Sequence, residues 1–179
     1  MTNNQPPISL QPLSQEYHIL ALQALYEQTP SYWQMYGMAA CPENQAERDL
    51  KAGDETPGRY MMGIVRRVDA ADARAGAALI GVLDFRLHWP QEKTAYIGMI
   101  MVADSYQRQG VATQAWQLLE PWLAETAQME TLRLAVEQFN HRSLPFFQHL
   151  GFQLTGEANR MKVGERLVRL LYMEKSIRQ

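Results

Sequence analysis

Residues 94–138 constrain the fold more than any other part of the chain. They read as an apolar strand TAYIGMIMV (94–102), a polar turn containing a glycine, a helix over 110–128 and a second strand TLRLAVEQ (131–138). The helix turns Val111, Ala115, Leu118, Leu119 and Trp122 to one face, and Pro121 is expected to kink it. A strand, a helix and a strand in this order put the two strands parallel in one sheet, joined by a right-handed crossover.

The flanking segments set the rest of the sheet. Two β-rich runs, 59–68 and 77–89, precede the crossover, and two strands, 152–162 and 165–175, follow it with a tight turn at Val163-Gly164-Glu165. The parallel pair therefore lies inside an otherwise antiparallel sheet. A first helix is expected over 14–28, with Ser14 as N-cap and Leu20, Leu22, Ala24 and Leu25 as its apolar face. Thr29-Pro30 stops it. Further helical stretches are expected around 31–36, over 42–51 with Pro42 in the first turn, and over 140–152 between an Asn140 cap and a Gly151 stop. Residues 1–7 and 69–76 carry the weakest ordering signals, the second as a loop between strands.

A length of 179 residues suits one domain spanning 1–179, and 46% hydrophobic with 20% charged residues suits a packed core. A net charge of −2 supplies no electrostatic footprint for nucleic acid or an anionic membrane. No apolar run approaches the ~18 residues of a membrane span, and the N-terminus lacks the pattern of a secretory signal. Cys41 is the single cysteine, which leaves no internal disulfide and no cysteine cluster for zinc, and fits a reducing cytoplasm.

The turn SYQRQGVATQAW (105–116) lies where the strand ends and the helix begins. The first N–H groups of a helix have no internal partner, and with the helix dipole they form an anion site. Gly110 removes the Cβ that would keep a ligand off the backbone, and Ala112 keeps the next turn small. Gln107, Arg108 and Gln109 add donors at the rim. The turn suits a phosphate-like group. It is not a P-loop, because no Lys-Ser/Thr pair follows the glycine, and it lacks the three spaced glycines of a dinucleotide fingerprint. On this glycine alone, a plain strand–helix turn is the alternative.

Gln107-Arg108-Gln109-Gly110-Val111-Ala112 resembles the Q/R-x-x-G-x-G/A motif of the GNAT (GCN5-related) N-acetyltransferase superfamily. The strand YIGMIMV before it, the block NHRSLPFFQHLGF after it and the element order over 8–175 are similar to that superfamily as well. The resemblance implies an α/β (α+β) fold: a mixed, mostly antiparallel sheet of six to seven strands, a central splayed parallel pair, and helices on both faces. It implies acetyl-CoA as co-substrate, held between the splayed strands, and no metal. The pyrophosphate is then expected on backbone amides of Gln109, Gly110, Val111, Ala112 and Thr113, with Gln107 and Arg108 at the edge. The pantetheine arm is expected along Ile100, Met101 and Val102, with the Ile100 N–H aimed at the thioester carbonyl. Asn140 is expected near the CoA arm, and Pro145, Phe146 and Phe147 at its sulfur end.

Two positions depart from the superfamily's pattern. Phe147 stands where many members carry a tyrosine that protonates the leaving thiolate. A thiolate is a fair leaving group, so this bears on one proton more than on the activity. Tyr96 stands where the histone-type branch places its catalytic glutamate, and Asp84 and Glu137 are the other candidate bases. On the acceptor side, Tyr32, Trp33 and Tyr36 form a dense aromatic segment that is either core or an amphipathic wall for an acceptor. The resemblance implies transfer of an acetyl group to a primary amine of a small molecule or peptide, by direct attack within a ternary complex. A non-catalytic acyl-CoA-binding module with the same fold is the alternative. The last two strands are candidates for pairing across a homodimer.

Overall fold

The computed structural model describes residues 8–66, 77–163 and 166–178. The expectations for 1–7, for the 69–76 loop and for the centre of the turn at 163–165 lie outside the described residues. Among the described residues, no helix is long and apolar enough to cross a membrane.

Seven strands form one sheet in the order β1-β2-β3-β4-β5-β7-β6. They are β1 (Ile8–Pro12), β2 (Arg59–Arg66), β3 (Ala78–Leu87), β4 (Thr94–Val102), β5 (Thr131–Glu137), β6 (Gln153–Val163) and β7 (Arg166–Ser176). Among the described residues, only β4 and β5 pair in parallel. β1 is an addition to the strands expected from the sequence. Its five residues, ending in Pro12, carry little periodic signal, and pairing with β2 along the edge makes them a strand.

Helices α1 (Gln15–Glu27), α2 (Pro30–Met35) and α3 (Gln45–Glu55) cover one face. Helices α4 (Val111–Pro121) and α5 (Ser143–His149) cover the other. In α1 the buried residues are Leu22, Leu25 and Tyr26, an i, i+3, i+4 set. Leu20, expected on that face, is 85% exposed because it lies round the helix from this set. α3 starts three residues after Pro42, behind a left-handed Asn44. At Pro121 the α-helix passes into a π-turn, Trp122–Thr126, closed by Ala127 N–H to Trp122 O at 2.9 Å. Proline has no N–H to continue the i→i−4 ladder, so the expected disturbance takes this form. α5 is shorter than expected. It ends in a Schellman arrangement, with Phe152 N–H on Phe147 O and Gly151 N–H on Gln148 O, and Gly151 at φ +92.

β4 changes phase within its length. Ala95 and Ile97 pack toward α4, and so do Ile100 and Val102, while Met99 and Met101 pack toward α1–α3. Strict alternation cannot produce that pattern. Opposite β4, Asp84 pairs with Met99 and Phe85 with Ile97, so Gly98 is an extra residue, a β-bulge.

Candidate active site

The bulge sits where β4 and β5 part. Their parallel register runs from Thr94↔Thr131 to Ile97↔Leu134 and stops there. β4 runs on to Val102 and β5 to Glu137 without pairing with each other. From Gly98 onward, the β5-facing backbone edge of β4 has no partner strand, which leaves its N–H and C=O groups for a ligand that carries amides. A cleft of ≈110 Å³ fills the gap, lined by Ile97 to Ile100, Leu134 to Glu137, Tyr32, Tyr36, Asn140 and Phe147. It continues into a groove of ≈440 Å³ along Ile100, Met101, Val102 and Gln107.

The groove leads to the loop singled out in the sequence. After a 3₁₀ turn, Asp104–Tyr106, the backbone is left-handed at Arg108 (φ +60) and again at Gly110 (φ +75), and α4 begins at Val111. Glycine takes this conformation freely, whereas for arginine it costs about 1 kcal/mol. Side chains hold the loop in shape. Gln107 Nε2 donates to Val102 O at 3.0 Å and Asp104 Oδ1 at 2.9 Å, and Gln109 Nε2 donates to Ser105 O at 2.8 Å. The two glutamines are thus built into the loop, while Arg108 is exposed at its rim. Val111 is buried in the core, Ala112 and Thr113 are half-buried, and the first N–H groups of α4 have no partner within the helix.

Asp104 was not singled out in the sequence. Its carboxylate accepts from Ser31 N at 3.1 Å and Ser31 Oγ at 2.5 Å, so the loop is tied to the first turn of α2. Nothing local in the chain signals a bond between residues this far apart.

The remaining candidates divide. Phe147 lies at the floor of the cleft, edge-on to Phe146 and Phe152. Asn140 lines the cleft, and its Oδ1 accepts from Ser143 N at 3.2 Å at the start of α5. Tyr32 and Tyr36 line the cleft from α2. Burial raises the pKa of both, to about 12 for Tyr32, so each stays a neutral hydroxyl at ordinary pH. Trp33 does not join them: it is 6% exposed, and its indole N–H donates to Tyr26 O at 2.7 Å. One turn of helix points Trp33 into the core and its two neighbours toward the cleft. Asp84 is 8% exposed and held by both Arg59 Nε at 3.0 Å and Arg59 Nη2 at 2.6 Å. Its carboxylate lies below Gly98, outside the cleft lining. Tyr96 is outside it too, edge-on to Trp89 at 4.7 Å, with a pKa raised by burial. Of the three candidate bases, only Glu137 lines the cleft.

The model of the acetyltransferase (GNAT) family matches residues 20–152. The chain belongs to this family. It is an acyltransferase, and its family uses acetyl-CoA. A search of curated protein sequences gives no match. Solved structures agree on the fold. An acetyltransferase from Thermus thermophilus is 22% identical, with 95% of this chain and 97% of that chain covered and a TM-score of 0.71. A GCN5-related N-acetyltransferase from Brucella melitensis is 17% identical, over 94% of this chain and 75% of that one, with a TM-score of 0.74. The spermidine N-acetyltransferase of Vibrio cholerae, in complex with CoA and spermine, is 13% identical over 94% and 95%, with a TM-score of 0.72. The acetyltransferase has left-handed backbone before a helix start at one end of the groove and an unpaired strand edge along it.

Proposed function

We propose that the protein is an N-acetyltransferase that moves the acetyl group of acetyl-CoA to a primary amine of a small molecule or peptide, by direct attack in a ternary complex. The observation that carries this reading is the parting of β4 and β5 at Gly98, with the Arg108–Gly110 loop at one end and a cleft at the other. Acetyl-CoA supplies an activated thioester. In this reading the amides of Gln109 to Thr113 bind its diphosphate, with Arg108 adding a cation at the rim. The backbone of Ile100, Met101 and Val102 orients the pantetheine arm. The Ile100 N–H donates to the thioester oxygen, which favours the charge that develops there. Phe147 excludes water beside the sulfur but has no proton to give, so the thiolate is protonated from solvent. The Vibrio cholerae structural neighbour is a spermidine N-acetyltransferase, which supports an amine as acceptor.

The test is thiol release from acetyl-CoA with a panel of primary amines, together with Gly110→Glu. The glutamate adds bulk and negative charge where the diphosphate belongs. Acetyl-CoA affinity is expected to fall at least tenfold with the fold intact by circular dichroism, and unchanged affinity rejects the placement. Phe147 favours one second reading, a module that holds acyl-CoA without turnover. It predicts binding of acetyl-CoA and no thiol release with any amine.

A further inference from the structure

Glu137 ends β5 in the cleft, where it is the one carboxylate among the lining residues. Tyr36 donates its hydroxyl proton to Oε1, and Asn140 Nδ2 lies 3.5 Å from Oε2. Both partners are neutral. Among the described residues Glu137 forms no ion pair, whereas Asp84, Glu120, Glu130 and Glu174 each face an arginine or lysine. Two aromatic rings pack edge-on against the ring of Tyr36. Tyr36 is 5.2 Å from the ring of Tyr32 and 6.3 Å from that of Phe139. A carboxylate with only neutral partners, in a cleft shared with Ile100, is a binding place for a cation.

We infer that Glu137 binds the ammonium group of the acceptor, which gives one proton to solvent before its nitrogen bonds to the thioester carbon and the C–S bond breaks, and that the Tyr36 hydroxyl holds that place in the free enzyme and yields it when the acceptor enters. The inference rests on the N-acetyltransferase reading and adds an acceptor class to it: aliphatic amines, charged near neutral pH, and not weakly basic arylamines. The Tyr36–Glu137 bond joins the residue that caps α2 to the end of β5, both in the cleft lining. An ammonium group offers three donors to the same carboxylate plus a full charge, so it displaces a neutral hydroxyl. Removing the carboxylate's charge and removing the competing hydroxyl must then act in opposite directions.

The test compares wild type, Glu137→Gln and Tyr36→Phe, using benzylamine and aniline as acceptors at saturating acetyl-CoA. Wild type is expected to acetylate benzylamine and to leave aniline unreacted. E137Q is expected to raise the benzylamine KM at least tenfold with kcat changed less than threefold, and Y36F to lower that KM. Binding is read separately, as the thermal shift given by benzylammonium chloride or by benzyl alcohol, with and without CoA. The ammonium salt is expected to stabilise wild type but not E137Q, and the alcohol neither. An equal shift in wild type and E137Q, no shift in wild type, or a KM unmoved by E137Q overturns the inference. If benzylammonium stabilises wild type alone and no thiol is released, Glu137 is a cation site and the transferase reading is the one that fails.

Discussion

At Gly81 the sheet leaves no room for a side chain. A Cβ there would lie 2.6 Å from the backbone oxygen of Met101 and 2.8 Å from Ile64 Cδ1. The first contact is with backbone, which cannot turn aside. Gly81→Ala is therefore expected to destabilise the fold by about 1–3 kcal/mol in urea unfolding, the range for overpacked cores. A loss below ~0.5 kcal/mol would show that β3 and β4 can separate there without strain. Gly98 differs: a Cβ there meets Asp84 only at ordinary contact distances, so its importance lies in the bulge and not in space. The residue scale is also where sequence reading met its limit. Tyr32, Trp33 and Tyr36 are of one chemical kind, yet one is core and two face the cleft. The angle at which α2 meets the sheet makes that division, and composition carries no trace of it.

Elements couple the two halves of the site. α2 has six residues, too few to be stable alone, and Asp104 from the loop before α4 binds its first turn through Ser31. The same carboxylate receives Gln107, which fixes the loop. Asp104→Ala removes both ties. It is expected to weaken acetyl-CoA binding about fivefold, roughly the 1 kcal/mol of a lost cap, and to raise the acceptor KM as well. Donor affinity by calorimetry equal to wild type would show that the loop stands without Asp104. The limits of β4 were legible because a run of β-branched and thioether residues ends in polar turn material. The strand-to-helix turn was legible for a related reason: Gly110 closes the polar segment and takes the left-handed backbone from which α4 starts. β1 was not, since five residues become a strand only when β2 offers its edge.

For the whole molecule, three tyrosines couple folding to alkaline pH. Burial is the largest cause raising Tyr26, Tyr32 and Tyr36, with Asp49 adding to the first and Tyr32 to the third. Their folded pKa values exceed the unfolded value of 10.0, so above that pH the folded state binds more protons than the unfolded one. Stability is then fully present below pH 10, falls as pH rises, and for Tyr32 is lost through about 12. Urea unfolding is expected to show a drop of roughly 2–3 kcal/mol from Tyr32 alone across that window, at about 1.4 kcal/mol per pKa unit. Tyr32→Phe should remove that share and leave the drop shallower, with Tyr26 and Tyr36 still contributing, and an equally steep drop in that variant would place the titration elsewhere. Order along the chain was enough to anticipate a parallel pair inside the sheet, because hydrophobic period and chain connectivity are local properties. Which carboxylate reaches the cleft was settled by packing. Arg59 neutralises Asp84 beneath the sheet, while Glu137 meets a tyrosine 101 residues away. Contacts of that range follow from how α2 and β5 are brought together in space, and no local pattern encodes them.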